Sequence, residues 1–454
     1  MFDEKIDEYK NEILNTLSDL IRYPSVSEES DNPEVPFGKN CNEVLEAFLN
    51  KAESLGFRTK NVDNYCGYIE FGEGSELVGI VGHLDVVPAL EEDGWTTPPF
   101  EPSIRDGKLY GRGSIDDKGP VVASLYAMKT IMDTTKVNKR VRLFVGLNEE
   151  KNWKCINHYK EIEEWPSIGF SPDANFPAIY AEKGIMSVSL KKSFYLNDVE
   201  IINIDCKNNA INVVPKYASI TLRFTREPRV LPDTDKVKVN SLSSQTVMIE
   251  SFGTASHASH PELGDNAIKN LVEYLLVNFS HPSTYLFDLI NKGFFDLYSP
   301  AFLSESKIED ESGMLSSNVA SMSYENGNLI FKTNLRVPVT YSLDDIFNLY
   351  FKLKDIYPDI ELDKFGIQEP LYVEKDSHLV KTLVDIFNKK TGSNAEPIAI
   401  GGGTYARAFK NFVSYGANFP GDTDMCHQVD EFVYIDKLIT SAKIYAEAIY
   451  ELAK

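Results

Sequence analysis

Residues 141–150 read VRLFVGLNEE, a short apolar segment that runs into two adjacent carboxylic acids. The branched and aromatic residues of this segment predict a buried β-strand. Neighbouring side chains of an extended chain point to opposite faces, so Glu149 and Glu150 cannot share one task by symmetry. Two acids at a strand end therefore indicate either a functional edge of a sheet or a solvated turn.

The same alternation of strands and helices extends on both sides of this segment. YCGYIEFG (65–72) and ELVGIVGHLD (76–85) read as strands, and GPVVASLYAMKTIM (119–132) reads as a buried helix. Apolar residues at helical spacing predict a first helix from Ile6 that ends near Pro24, and a second helix over about 41–55. Short apolar strands between helices predict an α/β sheet that is covered on both faces.

The middle of the chain has a different pattern. Alternating strands dominate from about 187 to 368, and two segments, 209–224 and 316–337, both place Asn-Val ahead of a strand that ends in arginine. This weak echo suggests two related halves. After about 370 the α/β pattern returns, with a final helix from about 436. We predict a catalytic domain in two pieces, 1–186 and 369–454, with a β-rich domain, 187–368, inserted between them.

Composition narrows the possible partners and location. The 454 residues carry 68 acidic and 46 basic side chains, a net charge of −22, which disfavours binding to nucleic acid or to anionic membranes. No apolar run reaches the roughly 18 residues that span a bilayer. The acidic start of the chain lacks the features of a signal peptide, and the five scattered cysteines include no CxxC pair. We expect a cytoplasmic protein with reduced thiols.

Acids and histidines recur where predicted strands end, which is where α/β folds bind their ligands. Each segment alone has an ordinary explanation, such as a hydrogen-bonded histidine or an aspartate that caps a helix. Together they offer nitrogen and oxygen donors suited to Zn²⁺, Mn²⁺ or Co²⁺. The candidate residues are His83, Asp85, Asp116, Asp117, Glu149, Glu150, Asp173 and His427.

The ordered motifs VGHLDVVP, GRGSIDDKGP, NEE, FSPDANFP and CHQVDE resemble those of the M20 family of dinuclear metallopeptidases. GWTTPPFEP, IYAEKG and GGGTYAR are similar to its PepV-type branch of Xaa-His or carnosine-hydrolysing dipeptidases, and the resemblance covers essentially the whole chain. It implies a mixed-sheet α/β catalytic domain and an inserted α+β lid with two ferredoxin-like halves. It also implies hydrolysis of short unblocked peptides by a monomer.

Carried over to this sequence, the resemblance implies a role for each motif residue. His83 and Asp173 would bind one divalent ion, Glu150 and His427 the other, and Asp116 both. Zn²⁺ is expected first, with Mn²⁺ and Co²⁺ as alternatives.

Three further features of the centre follow from the resemblance. Asp85 would accept the second ring N–H of His83 and thereby fix its tautomer. Glu149 would be the general base that takes a proton from the attacking water. A cis peptide bond is expected between Asp116 and Asp117.

The inserted domain is expected to supply substrate contacts. His257, rather than the neighbouring His260, would polarise the scissile carbonyl, and Arg336 would bind the C-terminal carboxylate of the substrate. Asn212 would assist, and the loop that includes Gly402 and Thr404 would contact the substrate backbone.

Other readings stay open at this point. Asn175 stands where the family often has an acid; if that acid binds the substrate amine, specificity would differ here. An N-acyl-amino-acid deacylase or a carboxypeptidase of the same family is the main alternative activity, and an inactive metal- or peptide-binding scaffold is the second. The remaining histidines, His158, His281 and His378, lie outside every motif and are expected to be structural or surface residues.

Overall fold

The structure is a computed structural model that describes residues 2–195, 199–207, 210–226, 231–279, 287–288, 291, 293–295, 297 and 307–454. The chain divides into two compact units. The first comprises Met1–Tyr180, Val373–Ile398 and Gly403–Lys454, and the second comprises Ala181–Tyr372 and Ala399–Gly402.

The second unit includes three segments that we predicted to lie in the catalytic domain: 181–186, 369–372 and 399–402. Residues 399–402 belong to it because their backbone bonds to its strands. The Gly401 carbonyl accepts from Arg336 at 2.8 Å, and the Ile400 carbonyl accepts the N–H of Lys183 at 2.9 Å. The predicted domain bounds, 1–186 with 369–454 and 187–368, follow the sequence pattern and differ from the two units in these three segments.

The helices of the described residues are numbered in chain order. They are α1 (Phe2–Glu8), α2 (Lys10–Ile21), α3 (Lys39–Ser54), α4 (Lys118–Thr134), α5 (Lys154–Ile162), α6 (Ala267–Asn278), α7 (Leu343–Leu349), α8 (Lys352–Ile356), α9 (His378–Thr391) and α10 (Ile435–Ala453). The predicted first helix is interrupted at Tyr9, and the final helix starts within one residue of its predicted position.

The strands are numbered in the same way. They are β1 (Arg58–Val62), β2 (Cys66–Phe71), β3 (Leu77–His83), β4 (Ser103–Arg105), β5 (Lys108–Tyr110), β6 (Arg140–Gly146), β7 (Ile168–Ser171), β8 (Ala174–Asn175), β9 (Ile179–Glu182), β10 (Gly184–Ser193), β11 (Val199–Asp205), β12 (Tyr217–Phe224), β13 (Val237–Ser241), β14 (Thr246–Phe252), β15 (Glu309–Asp310), β16 (Gly313–Met314), β17 (Ser316–Glu325), β18 (Asn328–Val337), β19 (Glu361–Gln368), β20 (Leu371–Tyr372), β21 (Ile398–Ile400), β22 (Phe412–Ser414), β23 (Ala417–Asn418) and β24 (Phe432–Tyr434).

The first unit is built on a mixed sheet in the order β1-β2-β6-β3-β7-β22-β9. β3 runs parallel to both β6 and β7, whereas β1 and β2 are antiparallel. All seven residues of β3 are buried, as expected of a central strand that is apolar up to its last residue, His83. The predicted α/β class is therefore confirmed, and its sheet is mixed.

Close approach of β3 and β7 depends on two glycines that face each other in the register, Gly79 and Gly169. A Cβ atom on Gly169 would lie 1.9 Å from the carbonyl oxygen of Gly79, which no side chain can tolerate. The pair thus keeps β7 beside β3, and this fixes the positions of the residues that follow both strands.

The second unit contains two four-stranded antiparallel sheets, β17-β18-β10-β19 and β11-β12-β14-β13, whose buried side chains form one hydrophobic core. α6 packs on β12 and β14, and α7 packs on β10. The two Asn-Val pairs lie at different places, because Asn212 precedes β12 whereas Asn318 lies within β17. The relation between ferredoxin-like halves stays a prediction.

None of the helices in the described part of the chain has both the length and the apolar character required to cross a membrane.

Candidate metal centre

The candidate ligands converge because three neighbouring strands end at one edge of the sheet. β3 ends at His83, which is paired in register with Gly146 at the end of β6. Asp173 follows β7 by two residues, and Glu149 follows β6 by three. Since β3 lies between β6 and β7 and is parallel to both, their carboxyl ends meet. The ends of these strands thus bring His83, Glu149 and Asp173 to one edge of the sheet, whereas Asp116 and His427 lie on loops.

The first group of possible ligands surrounds a fully buried imidazole. His83 Nε2 lies 3.1 Å from Asp116 Oδ1 and 3.5 Å from Asp173 Oδ2. This nitrogen is buried and makes no hydrogen bond with any residue that the structure describes. A buried polar atom without a hydrogen bond, facing two carboxylates, is the arrangement that a cation would satisfy.

The second group shares Asp116 with the first. His427 Nε2 lies 3.0 Å from Asp116 Oδ2 and 3.1 Å from Glu150 Oε1. The ligand atoms of each group lie within 4.8 Å of one another, so each group is close enough to hold an ion. The donors are imidazole nitrogen and carboxylate oxygen, which fits a divalent metal. The predicted ligands therefore fall into two groups joined by one aspartate.

The loop before α4 carries Asp116 on a cis peptide bond to Asp117, as predicted. Asp117 is fully buried and its Oδ2 accepts the backbone N–H of His83 at 3.1 Å. The second aspartate thus ties the loop to the end of β3, while the first presents its carboxylate to both histidines.

Asp85 differs from its predicted role in the atom that it offers to His83. The shortest contact of His83 Nδ1 is with the backbone oxygen of Asp85, at 2.9 Å, and the carboxylate lies at 3.5 Å. The carboxylate instead accepts the backbone N–H groups of Glu149 and Glu150, each at 3.1 Å. Asp85 therefore fixes the ring through its main chain and the two glutamates through its side chain.

The turn after β6 is held by Asn148. Its side-chain amide donates to Ser27 Oγ at 2.8 Å, and its side-chain oxygen accepts the N–H of Lys154 at 3.1 Å. These bonds close the turn that leads into α5, so the segment KNWKC shapes the turn behind the two glutamates.

Burial and like charges strongly perturb the acids of the centre. Burial raises the pKa of Glu149 well above its ordinary value. Burial and the Asp116 charge raise the pKa of Glu150 to about 7 and that of Asp173 to about 6. Burial also acts against ionisation of Asp116, but the neighbouring His427 and His83 outweigh it and lower the pKa.

The two histidines respond in the opposite sense. Burial disfavours their charged form, yet Asp116 and Asp173 raise the pKa of His83 well above its ordinary value. Asp116 and Glu150 raise the pKa of His427 to about 11. The centre thus holds protons that a divalent cation would displace on binding, because metal ligands must be deprotonated.

His257 and Asn212 lie together in the second unit. Val213 and His257 form an antiparallel bridge, and the Asn212 carbonyl accepts the N–H of Ala258 at 2.8 Å. His257 Nδ1 lies 3.2 Å from the backbone N–H of Ser259, which donates to it, and 2.6 Å from the Ser259 hydroxyl. An accepting Nδ1 places the ring proton of the neutral imidazole on Nε2.

Arg336 and Gly402 also belong to the second unit. Arg336, near the end of β18, is buried and donates through Nη1 to the Gly401 carbonyl, the neighbour of Gly402. His260 is exposed and its Nδ1 lies 3.2 Å from Glu262 Oε1. The substrate roles of His257, Arg336, Asn212 and Gly402 stay predictions.

Thr404 lies in the first unit and its hydroxyl has local partners. It accepts the N–H of Ala406 at 3.1 Å, which caps a short 3₁₀ turn, and lies 2.7 Å from the hydroxyl of Ser414 on β22. The side chain is therefore engaged in local structure, and contact of this loop with a substrate stays a prediction.

The histidines outside the motifs have ordinary surroundings. His158 Nε2 lies 2.9 Å from Asp63 and its ring stacks on Tyr65 at 4.2 Å. His378 is the first residue of α9. His281 lies outside the described residues.

Two buried charged residues of the centre were not singled out from the sequence. Arg112 and Glu431 form an ion pair, with Nη1 and Oε2 2.6 Å apart, directly behind Asp116. A signal was available, because Arg112 lies in GRGSIDDKGP and Glu431 closes CHQVDE. Their opposite charges in two motifs already grouped around one site could have predicted the pair.

Comparison with known proteins agrees with this geometry. The profile of peptidase family M20/M25/M40 matches residues 79–451. "Putative dipeptidase YtjP" of Bacillus subtilis (strain 168) is 36% identical over 466 residues, which cover 98% of each chain.

Solved structures share the fold. Human carnosine dipeptidase 1 aligns with a TM-score of 0.58 at 16% identity, covering 100% of this chain and 98% of that one. The dipeptidase Dug1p of Saccharomyces cerevisiae aligns with a TM-score of 0.60 at 13% identity, covering 99% and 98%. Family match, relatives and paired ligand groups agree: this chain belongs to peptidase family M20/M25/M40 and is a peptide hydrolase.

Proposed function

We propose that this protein is a metal-dependent dipeptidase that hydrolyses the peptide bond of short unblocked peptides. The observation that carries the proposal is the pair of ligand groups joined through Asp116, with Glu149 on the same turn as Glu150. Similarity over nearly the whole length to a relative named as a dipeptidase supports the reaction type.

The ligand assignment follows the two groups. His83 and Asp173 would hold one ion, Glu150 and His427 would hold the other, and Asp116 would contribute to both sites. We propose Zn²⁺ as the resident ion, with Mn²⁺ and Co²⁺ as alternatives that the donor set also accepts. When bound, two divalent ions supply Lewis acidity that polarises the scissile carbonyl and lowers the pKa of water.

Glu149 is the proposed general base. Its backbone is held by the Asp85 carboxylate, and its own carboxylate belongs to neither ligand group. Burial raises its pKa, which brings the carboxylate closer to the range in which it both accepts and releases a proton near neutral pH. Glu149 takes a proton from the attacking water and delivers it to the leaving nitrogen.

Residues of the second unit complete the proposed reaction. His257 donates from Nε2 to the oxygen of the scissile carbonyl as negative charge develops there, since its Nδ1 is an acceptor. Arg336 recognises the C-terminal carboxylate of the peptide, for which a guanidinium fork is suited. Asn212 and the loop with Gly402 and Thr404 contact the rest of the substrate.

Specificity, assembly and location are part of the proposal. Asn175 offers an uncharged amide two residues after Asp173, so the substrate amine is recognised without a carboxylate at that position. The large second unit supports a monomer whose own chain supplies His257. Five unpaired cysteines support a cytoplasmic location.

Metal stoichiometry tests the ligand assignment. Calorimetric titration of metal-stripped protein should give two ions per chain for the wild type. His83→Ala and His427→Ala should each retain one ion, because each removes a ligand from one group only. Asp116→Asn should weaken both sites. A single ion per wild-type chain would contradict the shared-aspartate assignment.

Substitution of the proposed base tests its role. Glu149→Gln should retain two ions and lower kcat by about 10²–10⁴-fold, because it removes the proton acceptor but no ligand. Glu161→Gln, the same change at an exposed glutamate of α5, is the matched control and should leave kcat unaltered. Loss of an ion in Glu149→Gln would instead make Glu149 a ligand.

A small substrate panel tests the reaction against its alternatives. With each metal added to stripped protein, free dipeptides including β-Ala-His should be hydrolysed, whereas an N-acetylated amino acid should not. Hydrolysis of the acetylated compound alone would identify a deacylase. Preferential cleavage of N-blocked longer peptides would identify a carboxypeptidase, and no turnover together with retained peptide binding would identify a scaffold.

Size-exclusion chromatography with light scattering tests the assembly state. The expected mass is that of one chain, 51.1 kDa, with full dipeptidase activity in the same fraction. An obligate dimer would overturn the proposal that His257 acts within its own chain.

A further inference from the structure

The ion pair between Arg112 and Glu431 is buried behind the metal centre and has no part in the proposed chemistry. Glu431 is 0% exposed and Arg112 is 4% exposed. A buried ion pair is weak evidence for stability, because desolvation of both charges offsets much of their attraction. The role of the Arg112–Glu431 pair is therefore inferred from the groups that its two side chains contact.

Glu431 holds the backbone that carries Asp116. Its Oε1 accepts the N–H of Ile115 at 2.9 Å and the N–H of Asp116 at 3.3 Å. The backbone carbonyl of Glu431 accepts the N–H of Gly111 at 3.0 Å, so the loop is fastened at both ends. A shift of this loop would move the one carboxylate that faces both His83 and His427.

Arg112 holds the backbone of the opposite ligand. Its Nη2 lies 3.4 Å from the carbonyl oxygen of His427, to which it donates. His427 has a φ of 65°, in the left-handed region that a residue with a side chain occupies only when its surroundings impose it. Arg112 is one such constraint, because its guanidinium contacts both the His427 carbonyl and Glu431.

A neighbouring contact holds the other end of the same loop. Asp430 also has a left-handed backbone, with a φ of 56°. Its carboxylate accepts the N–H of Thr96 at 2.9 Å and the Thr96 hydroxyl at 2.6 Å. The segment from His427 to Glu431 is thus held from outside in a conformation that it would rarely adopt alone.

We propose that Arg112 and Glu431 form a positioning pair that sets the distance between Asp116 and His427 before any ion arrives. The pair joins two loops that are more than 300 residues apart in the chain and gives each a charged partner. The inference rests on the proposed function in that it takes the two groups to be metal sites. Loss of the pair should weaken metal binding more at the Asp116–Glu150–His427 site than at the His83–Asp173 site. The pair holds the two loops that carry Asp116 and His427.

The first unit offers a matched control pair. Arg142 and Glu70, between β6 and β2, are 2.6 Å apart and are also buried. Arg142 additionally contacts Tyr159 and the Glu164 carbonyl, and none of the metal-centre residues is among these partners. Weakening this pair should lower stability in the same manner without moving a ligand.

The experiment compares Glu431→Gln with Glu70→Gln in the full chain. Metal-stripped proteins are titrated calorimetrically with Mn²⁺ alone, since Mn²⁺ binds such sites most weakly among the first-row ions and its affinity changes are measurable. Thermal unfolding of the same samples reports stability. Glu431→Gln should weaken the more affected Mn²⁺ site by about 10–100-fold. Glu70→Gln should leave both affinities within twofold at a similar loss of stability.

Equal affinity losses in both variants, or unchanged affinities in a folded Glu431→Gln, would overturn the proposal. If Glu431→Gln does not fold, Arg112→Lys and Arg142→Lys decide instead, because lysine keeps the charge but cannot reach two partners with one fork. Arg112→Lys should then weaken Mn²⁺ binding and Arg142→Lys should not; the same result for both overturns the pair's role. A wild-type chain that binds no ion would refute the proposed metal centre itself.

Discussion

The carboxylate of Asp116 is the interaction on which the centre depends, because one of its oxygens faces His83 and the other faces His427. His83 belongs to the central strand of the sheet, whereas His427 comes from a loop close to the last helix. A single carboxylate can join them only if the sheet edge and that loop are held at a fixed separation. The glycine contact between β3 and β7 fixes the edge of the sheet, and we propose that the Arg112–Glu431 pair fixes the loop that carries His427.

Backbone amides sort the acids of the centre into two kinds. The carboxylates of Asp85, Asp117 and Glu431 each accept at least one backbone N–H, and so their charge is directed to main-chain donors. Among the described residues, no backbone N–H donates to the carboxylates of Asp116 or Asp173, and these face histidine nitrogens instead. Acids satisfied by amides shape the loops, and acids left to face histidines remain available to a cation.

The spacing of apolar residues predicted the helices and strands that form from neighbouring residues in the sequence. The strands that end at His83 and Gly146 are mostly apolar, and α4 and α10 have clear helical spacing, so their existence followed from the sequence. Parallel strand ends then accounted for the convergence of His83, Glu149, Glu150 and Asp173. The sequence did not predict that the main-chain oxygen of Asp85, rather than its carboxylate, is the closest partner of His83. A pattern of two residues does not distinguish a main-chain from a side-chain oxygen.

Contacts between distant segments were the least predictable. Periodicity and composition do not report that Arg112 and Glu431 meet, and only their opposite charges in two motifs of one site pointed to the pair. The capping role of Thr404 was hidden for a related reason, since a glycine-rich loop indicates close backbone approach but not its partner. Residues 399–402 belong to the second unit because their main-chain carbonyls accept hydrogen bonds from it. Any residue type can offer such a carbonyl, so the sequence did not predict this placement.

The two adjacent glutamates illustrate how one constraint separates two tasks. Both of their backbone amides are held on the two oxygens of a single carboxylate, that of Asp85, at equal distances of 3.1 Å. With the main chain fixed in this way, the side chains diverge: Glu150 reaches His427, whereas Glu149 joins neither ligand group. A half-buried acid beside the centre that is not required as a ligand can exchange a proton without loosening an ion. The separation of ligand and base therefore depends on Asp85 as much as on the glutamates themselves.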